Sequence, residues 1–326
     1  MSEISQAASV AGAIAPENAG KVAGGASAGA KLAAEAVAMS GGSNGAAAGG
    51  ASTKPARFGG RGLMIAIAAA AVVTVAGIAL WVVQLSGGMS QTAMRNLDSW
   101  GLYITMFMFF VGLSAGGLII SSAPKAFGAE GFGGISKIAV WTSVCSTVAA
   151  IAFVVVDLGR PLRLWELFAY SNLASPLMWD IVVLLVYLVL SVVYLWAQLQ
   201  AEAGKVSHTA LRVVSVITLV TAVLVHSVTA WIFGLQQGRE MWHTALLGPW
   251  FVSSALVCGF QLPNIDLPGA VTSMTVTNWE AGMQGAYEGM VYWPAPIEWG
   301  VALGVIGLAA LLLCAGLRYL PLKPVE

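Results

Sequence analysis

The chain has 326 residues, of which 58% are hydrophobic and only 9% charged, with zero formal net charge and a mean hydropathy of +0.82. Such a composition points to a membrane protein and offers no basic surface for nucleic acid. Cys145, Cys258 and Cys314 stand singly in apolar runs without a CxxC, which supports no disulfide framework, zinc site or iron–sulfur site; they read as small apolar packing residues.

Residues 1–60 are rich in Ala, Gly and Ser. They lack the bulky apolar residues that form a core, so a disordered tail is expected. No apolar stretch near the start resembles a secretory signal, and Arg57 and Arg61 are not adjacent, so no twin-arginine signal is read either.

Seven apolar runs follow, near 63–84, 100–122, 136–156, 177–199, 211–234, 244–261 and 297–317. Most reach the roughly 20 residues that cross a bilayer. The prediction is an all-α, polytopic transmembrane bundle of about seven helices, with a bundle core over 61–261 and a final helix within 297–326. The sixth run is short, bounded by Pro249 and Pro263. Trp and Tyr near many run ends form an interfacial belt. Residues 262–296 carry Asp266, Glu280 and Glu288 without Lys or Arg, and read as a polar loop or re-entrant segment. Lys54, Arg57 and Arg61 precede the first run, and Lys125, Lys137, Lys205 and Arg212 fall on the same side, which places the N-terminus in the cytoplasm. Strict alternation over seven spans puts the C-terminus, with Arg318 and Lys323, on the other side.

Alternation also gathers Arg95–Tyr103, Asp157–Asp180 and Gln236–His243 at one end of the bundle. The loops at the other end, Ala123–Gly134 and Gln200–Thr209, read as ordinary turns. A cluster of acids, Arg, His, Trp and Tyr at the lipid boundary suits a quinone, whose two oxygens need hydrogen bonds and whose protons leave through acids or imidazole. Asp157 and Arg160 lie about one turn apart; they form either a helix-end ion pair or part of this site. Asp180 sits one turn into the fourth run, where burial of an acid asks for a function. His226, deep in the fifth run, is either a packing residue or a proton carrier. His243, beside Arg239 and Trp242, is either solvated or a ligand. A haem needs two facing axial side chains, and only His226 with His243 can be considered, at different depths in their runs, so neither haem nor iron–sulfur cluster is expected in this chain. Gly112, Ser114, Gly116 and Gly117 form a small face for close helix packing.

Several motifs resemble the NrfD/polysulfide reductase membrane-subunit family. They are Asn96-Leu97-Asp98-Ser99-Trp100-Gly101-Leu102-Tyr103 with Gly112 and Ser114–Gly117, then Asp157-Leu158-Gly159-Arg160-Pro161, Ser175–Asp180, Gly238–Leu246, and the final-helix start Tyr292–Glu298. The resemblance implies a haem-free helical anchor in the inner membrane that exchanges electrons between menaquinone or ubiquinone and a four-cluster iron–sulfur subunit. That partner in turn serves a molybdopterin catalytic subunit in anaerobic respiration. The chain is then a subunit of an oxidoreductase and not the one that reduces the terminal substrate. By motif, Asp157, Arg160, Asp180, Arg239, His243, Asn96 and Tyr103 carry over as site candidates, joined by His226 and Trp242 from the residues themselves. The family commonly has eight or more spans, against the seven readable here. A proton-coupled transporter using Asp180 and His226, or an anchor that has lost its quinone site, are the alternative readings.

Overall fold

Long apolar runs become helices because lipid cannot hydrogen-bond a backbone, so each segment must satisfy its own N–H and C=O groups. The computed structural model describes residues 60–94, 100–128, 133–170, 172, 175–235, 244–261 and 292–322, and among them all regular structure is helical. Seven long helices are numbered here in chain order. They are α1 (Arg61–Gly87), α2 (Leu102–Phe127), α3 (Gly133–Asp157), α4 (Pro176–Glu202), α5 (His208–Gly234), α6 (Leu247–Gln261) and α7 (Pro296–Tyr319). Six are long and apolar enough to cross a membrane, and α6 is shorter. The expected tail over 1–60 falls almost wholly outside the described residues, as does most of the segment 262–296.

Local signals set the helix ends. Pro176 and Pro296 occupy first-turn positions, where a missing N–H costs nothing. Ser207 caps α5, its Oγ accepting from Ala210 N at 3.2 Å. Gly159, at φ +61°, turns the chain out of α3 in a left-handed conformation that favours glycine. A 3-10 turn, Pro161–Arg163, and one helical turn, Glu166–Ala169, then lead toward α4.

Helix α2 is the axis of the bundle. It packs against α3, α5, α6 and α7, and the chain closes around it through α3–α4, α4–α5 and α5–α6 contacts. Gly112, Ser114, Gly116 and Gly117 are all buried, as close packing requires. Helix α1 is mostly exposed and lies against α7. There Gly77 and Gly304 meet backbone to backbone, and a Cβ on either would strike the other's Cα. Gly300 faces Leu80 and Gly307 faces Val73, so the two helices run antiparallel.

That direction corrects the expected parity. Arg318 and Tyr319 lie at the end where α1 begins, and the start of α7 joins the other end: Ala93 N donates to Glu298 Oε1 at 2.6 Å and Leu102 N to the Tyr292 hydroxyl at 3.1 Å. Alternation failed because α6 and α7, although consecutive among the described helices, run the same way. Gly248, at the start of α6, lies beside Trp231, and Phe251, one turn on, lies beside His226, so α6 runs back along α5.

Candidate functional site

The ends of α1, α3 and α5 and the starts of α2, α4, α6 and α7 share one end of the bundle. A cleft of about 1020 Å³ opens there, between α2, α3, α4 and the connection 158–168. Its walls are mainly apolar, including Ile104, Phe107, Ile181 and Leu184. Trp100 and Phe233 close one side, stacked edge to face at 5.1 Å.

Asp157, Arg160 and Asp180 all line this cleft. Separate local causes bring them there. Asp157 is the last residue of α3, Gly159 reverses the chain, and Asp180 stands in the second turn of α4. Asp180 is 4% exposed and accepts a hydrogen bond from Thr229 Oγ1 at 2.7 Å. Asp157 Oδ1 is buried and has no hydrogen-bond partner among the described residues. Arg160 is exposed at the cleft mouth. The helix-end ion pair between Asp157 and Arg160 does not form. The two ion pairs among the described residues are Arg163–Glu166 at 2.9 Å and Lys137–Glu202 at 2.8 Å. The left-handed turn at Gly159 places Arg160 in a new segment, so the helical spacing on which that pair depends is lost.

Tyr103 and His226 do not line the cleft. Tyr103 is fully buried behind it and donates to Gln84 Oε1 at 2.6 Å, within coulombic range of Asp157 and Glu298. His226 is 2% exposed beside the Phe251 ring, at 5.4 Å. Among the described residues neither of its ring nitrogens has a well-formed hydrogen-bond partner, although the Phe251 backbone lies within electrostatic reach. Asn96, Arg239, Trp242 and His243 lie outside the described residues.

Three further groups at this end are not among the site candidates: Thr229 and Gln84 stand in no motif, and Glu298 closes the Tyr292–Glu298 motif without a role assigned to it. Thr229 holds Asp180. Gln84, 1% exposed, holds Tyr103. Glu298, fully buried, accepts from Ala93 N and Ala295 N and from the Tyr292 hydroxyl. Burial, with the Glu298 bond, pushes the Tyr292 phenol above its ordinary range. Glu298 and Tyr292 thereby tie α7 to the chain between α1 and α2, the segment that carries Trp100. The available signals for Glu298 are its place in the Tyr292–Glu298 motif and its position two residues after Pro296, which by itself reads as ordinary helix capping.

The donor set can be matched to a bound molecule. An apolar slot with two carboxyl groups, one oxygen of which is unpartnered, and an Arg at the mouth fits a flat, largely apolar molecule with hydrogen-bonding oxygens. Among the described residues no group of three or more His, Cys, Asp or Glu is placed to hold a metal ion.

The sequence model of the family described as "Polysulphide reductase, NrfD" matches residues 90–275. The chain belongs to this family. NrfD relatives include a protein of Halobacterium salinarum named for a dimethyl sulfoxide reductase membrane subunit, 38% identical over 59% of this chain and 48% of its own length. A selenate reductase subunit of Mesobacillus selenatarsenatis is 29% identical over 58% of this chain and 53% of its own. The Hdr-like menaquinol oxidoreductase integral membrane subunit of Archaeoglobus fulgidus is 30% identical over 59% and 47%. The chain spans about half the length of these curated relatives. Family and helices together make it a multi-pass integral membrane protein.

Proposed function

We propose that this NrfD chain is the quinone-reactive membrane anchor of a respiratory oxidoreductase. It passes electrons between a menaquinone or ubiquinone pool and an iron–sulfur partner that serves a molybdopterin catalytic subunit. The observation that carries the reading is the cleft: an apolar slot at one end of a membrane bundle, with Asp157, Asp180 and Arg160 on its wall and Asp157 Oδ1 unpartnered. The quinone supplies the redox chemistry, and this chain supplies binding and proton handling. Arg160 orients a ring oxygen at the mouth. Asp157 and Asp180 take protons, with Thr229 fixing the Asp180 carboxylate. Trp100 and Phe233 exclude lipid and water from one side. Arg239, Trp242, His243 and Asn96 join the site in this reading on the family resemblance, and His226 is a proton carrier one turn below Thr229. The N-terminus is placed in the cytoplasm and the whole chain in the inner membrane.

Purification of the complex from native membranes tests this reading. Co-purifying iron–sulfur and molybdopterin subunits, with bound quinone, are expected. In that complex Asp180→Asn is expected to abolish quinol-dependent turnover while leaving assembly intact. Unchanged turnover removes Asp180 from the mechanism. A chain that elutes alone, free of iron, molybdenum and quinone, argues instead for a proton-coupled transporter or a degenerate anchor.

A further inference from the structure

Two apolar helix faces meet across the cleft. Ile151, Val155 and Leu158 line it from α3, and Leu177, Ile181 and Leu185 line it from α4. Each set follows helical spacing, so each is one face of its helix. Deeper in the bundle the same two helices are fastened together, where the Tyr187 hydroxyl lies 2.8 Å from Ser143 Oγ. Above that contact the cleft stands between them as a slot. Asp157, Asp180 and Arg160 line it toward the helix ends.

Depth decides what this slot opens onto. Helix α4 has 27 residues, or ~40 Å at ~1.5 Å per residue, against a hydrocarbon core of ~30 Å. About 5 Å at either end therefore lies outside the core. Leu185 stands nine residues after Pro176, roughly 13 Å along the helix. Ile151 stands six residues before Asp157, roughly 9 Å from the end of α3. Both are at hydrocarbon depth. Leu185 is nevertheless 40% exposed and Ile151 is half-buried. A cleft wall exposed at that depth faces lipid, not water. The slot is thus polar at its upper end and apolar where it opens sideways. Its volume of about 1020 Å³ stands at the top of the usual range for small-ligand pockets, about 300–1,000 Å³, which leaves room for a tail beside a ring. A phospholipid is the other amphiphile of the bilayer, but its phosphate would have to sit beside two carboxyl groups.

We propose that the slot between α3 and α4 is a lateral portal that holds the isoprenoid tail of a quinone, with Ile151 and Leu185 as its two jambs. The ring sits by the carboxyl groups and the tail leaves sideways into the bilayer. Ile151 and Leu185 thereby select quinones by their tails, while the residues at the helix ends handle the ring. This inference rests on the anchor reading and adds to it the route of entry and the residues that discriminate.

The test compares two quinols of the same ring in the complex purified from native membranes. One is menadiol, which has no tail, and the other is a menaquinol with a tail of four isoprene units. Ile151→Trp and Leu185→Trp narrow the slot away from Asp157, Asp180 and Arg160. Each is expected to lower kcat/KM for the tailed quinol by about tenfold or more relative to menadiol, the discrimination that a pocket wall achieves by shape. Where a Trp variant does not assemble, Leu185→Cys is assembled first and then plugged with pyrenylmaleimide, beside wild type treated in the same way. The same fall in the ratio is expected. If wild type turns over both quinols and the assembled variants keep its ratio, the portal alone is overturned; a slot filled by a resident phospholipid or by another protein segment gives that result. A wild-type complex that turns over neither quinol refutes the anchor reading, and the portal with it.

Discussion

Replacing Glu298 with Ala tests the arrangement that holds the outer wall of the cleft. The carboxylate is fully buried and accepts from Ala93 N at 2.6 Å, from Ala295 N at 3.1 Å and from the Tyr292 hydroxyl. Alanine leaves these donors without their acceptor. Each buried donor so stranded costs about 1–3 kcal/mol. Ala295 N, at the helix entrance, is open to rescue by water, so two donors set the expectation at about 2–6 kcal/mol. For a bundle of this size ~1 kcal/mol moves Tm by about 2–4 °C, so a loss near the middle of that range lowers Tm by roughly 8–16 °C. Glu298→Gln keeps Oε1 for the two backbone donors, and its amide can donate to the Tyr292 oxygen. Its expected cost is about 1 kcal/mol, that of weakening one hydrogen bond. The assay is thermal unfolding in detergent, followed by far-UV circular dichroism. The reasoning is refuted if the alanine variant melts with wild type, or if the glutamine variant melts as low as the alanine variant.

Other expectations follow from the same geometry. Gly304→Leu drives a side chain into the Gly77 backbone, so it should cost about 1–3 kcal/mol by overpacking and loosen α1 from α7, measured as a lower Tm and faster protease cleavage of α1. Arg163→Ala breaks an exposed ion pair and should change stability by less than about 1 kcal/mol, with no resolvable Tm shift. The Tyr292 phenol is raised in the fold by burial, so the folded chain holds that proton more tightly than the unfolded one. The resulting stability is complete below about pH 10, the ordinary tyrosine value, and is lost as pH rises above it. Tyr292→Phe should flatten the alkaline fall in Tm.

Single helices are well legible in the sequence, and relations between helices less so. The run near 177–199 becomes Pro176–Glu202, and that near 211–234 becomes His208–Gly234, because uninterrupted apolar residues and flanking Pro or Ser fix a span locally. Alternation then brings Asp157, Arg160 and Asp180 to one end, where they share a cleft. The same alternation misplaces Arg318, since the parity of α7 depends on what lies between it and α6. Gly159 reads as part of a motif, but its left-handed turn, which separates Arg160 from Asp157, is a backbone fact that spacing does not reveal. The other end, which reads as ordinary loops, holds the buried Lys137 paired to Glu202 and the Ser121–Ser136–Gln198 cluster. Individual serines hardly alter the hydropathy of a run, and their partners lie on other helices. Glu298 belongs to a legible motif, but its role is hidden for the same reason: its distant partner, Ala93, is a backbone N–H, which leaves no mark in a sequence.

The central claim is that the cleft receives a quinone. Photolabelling of native membranes with an azido-quinone, followed by peptide mass spectrometry, tests it most directly. The account predicts adducts on cleft residues such as Ile104, Leu164 and Ile181, competed away by excess unlabelled quinone and reduced in Asp180→Asn and Arg160→Ala. Adducts confined to the lipid-facing side of α1, or cleft labelling that excess quinone does not displace, would contradict it.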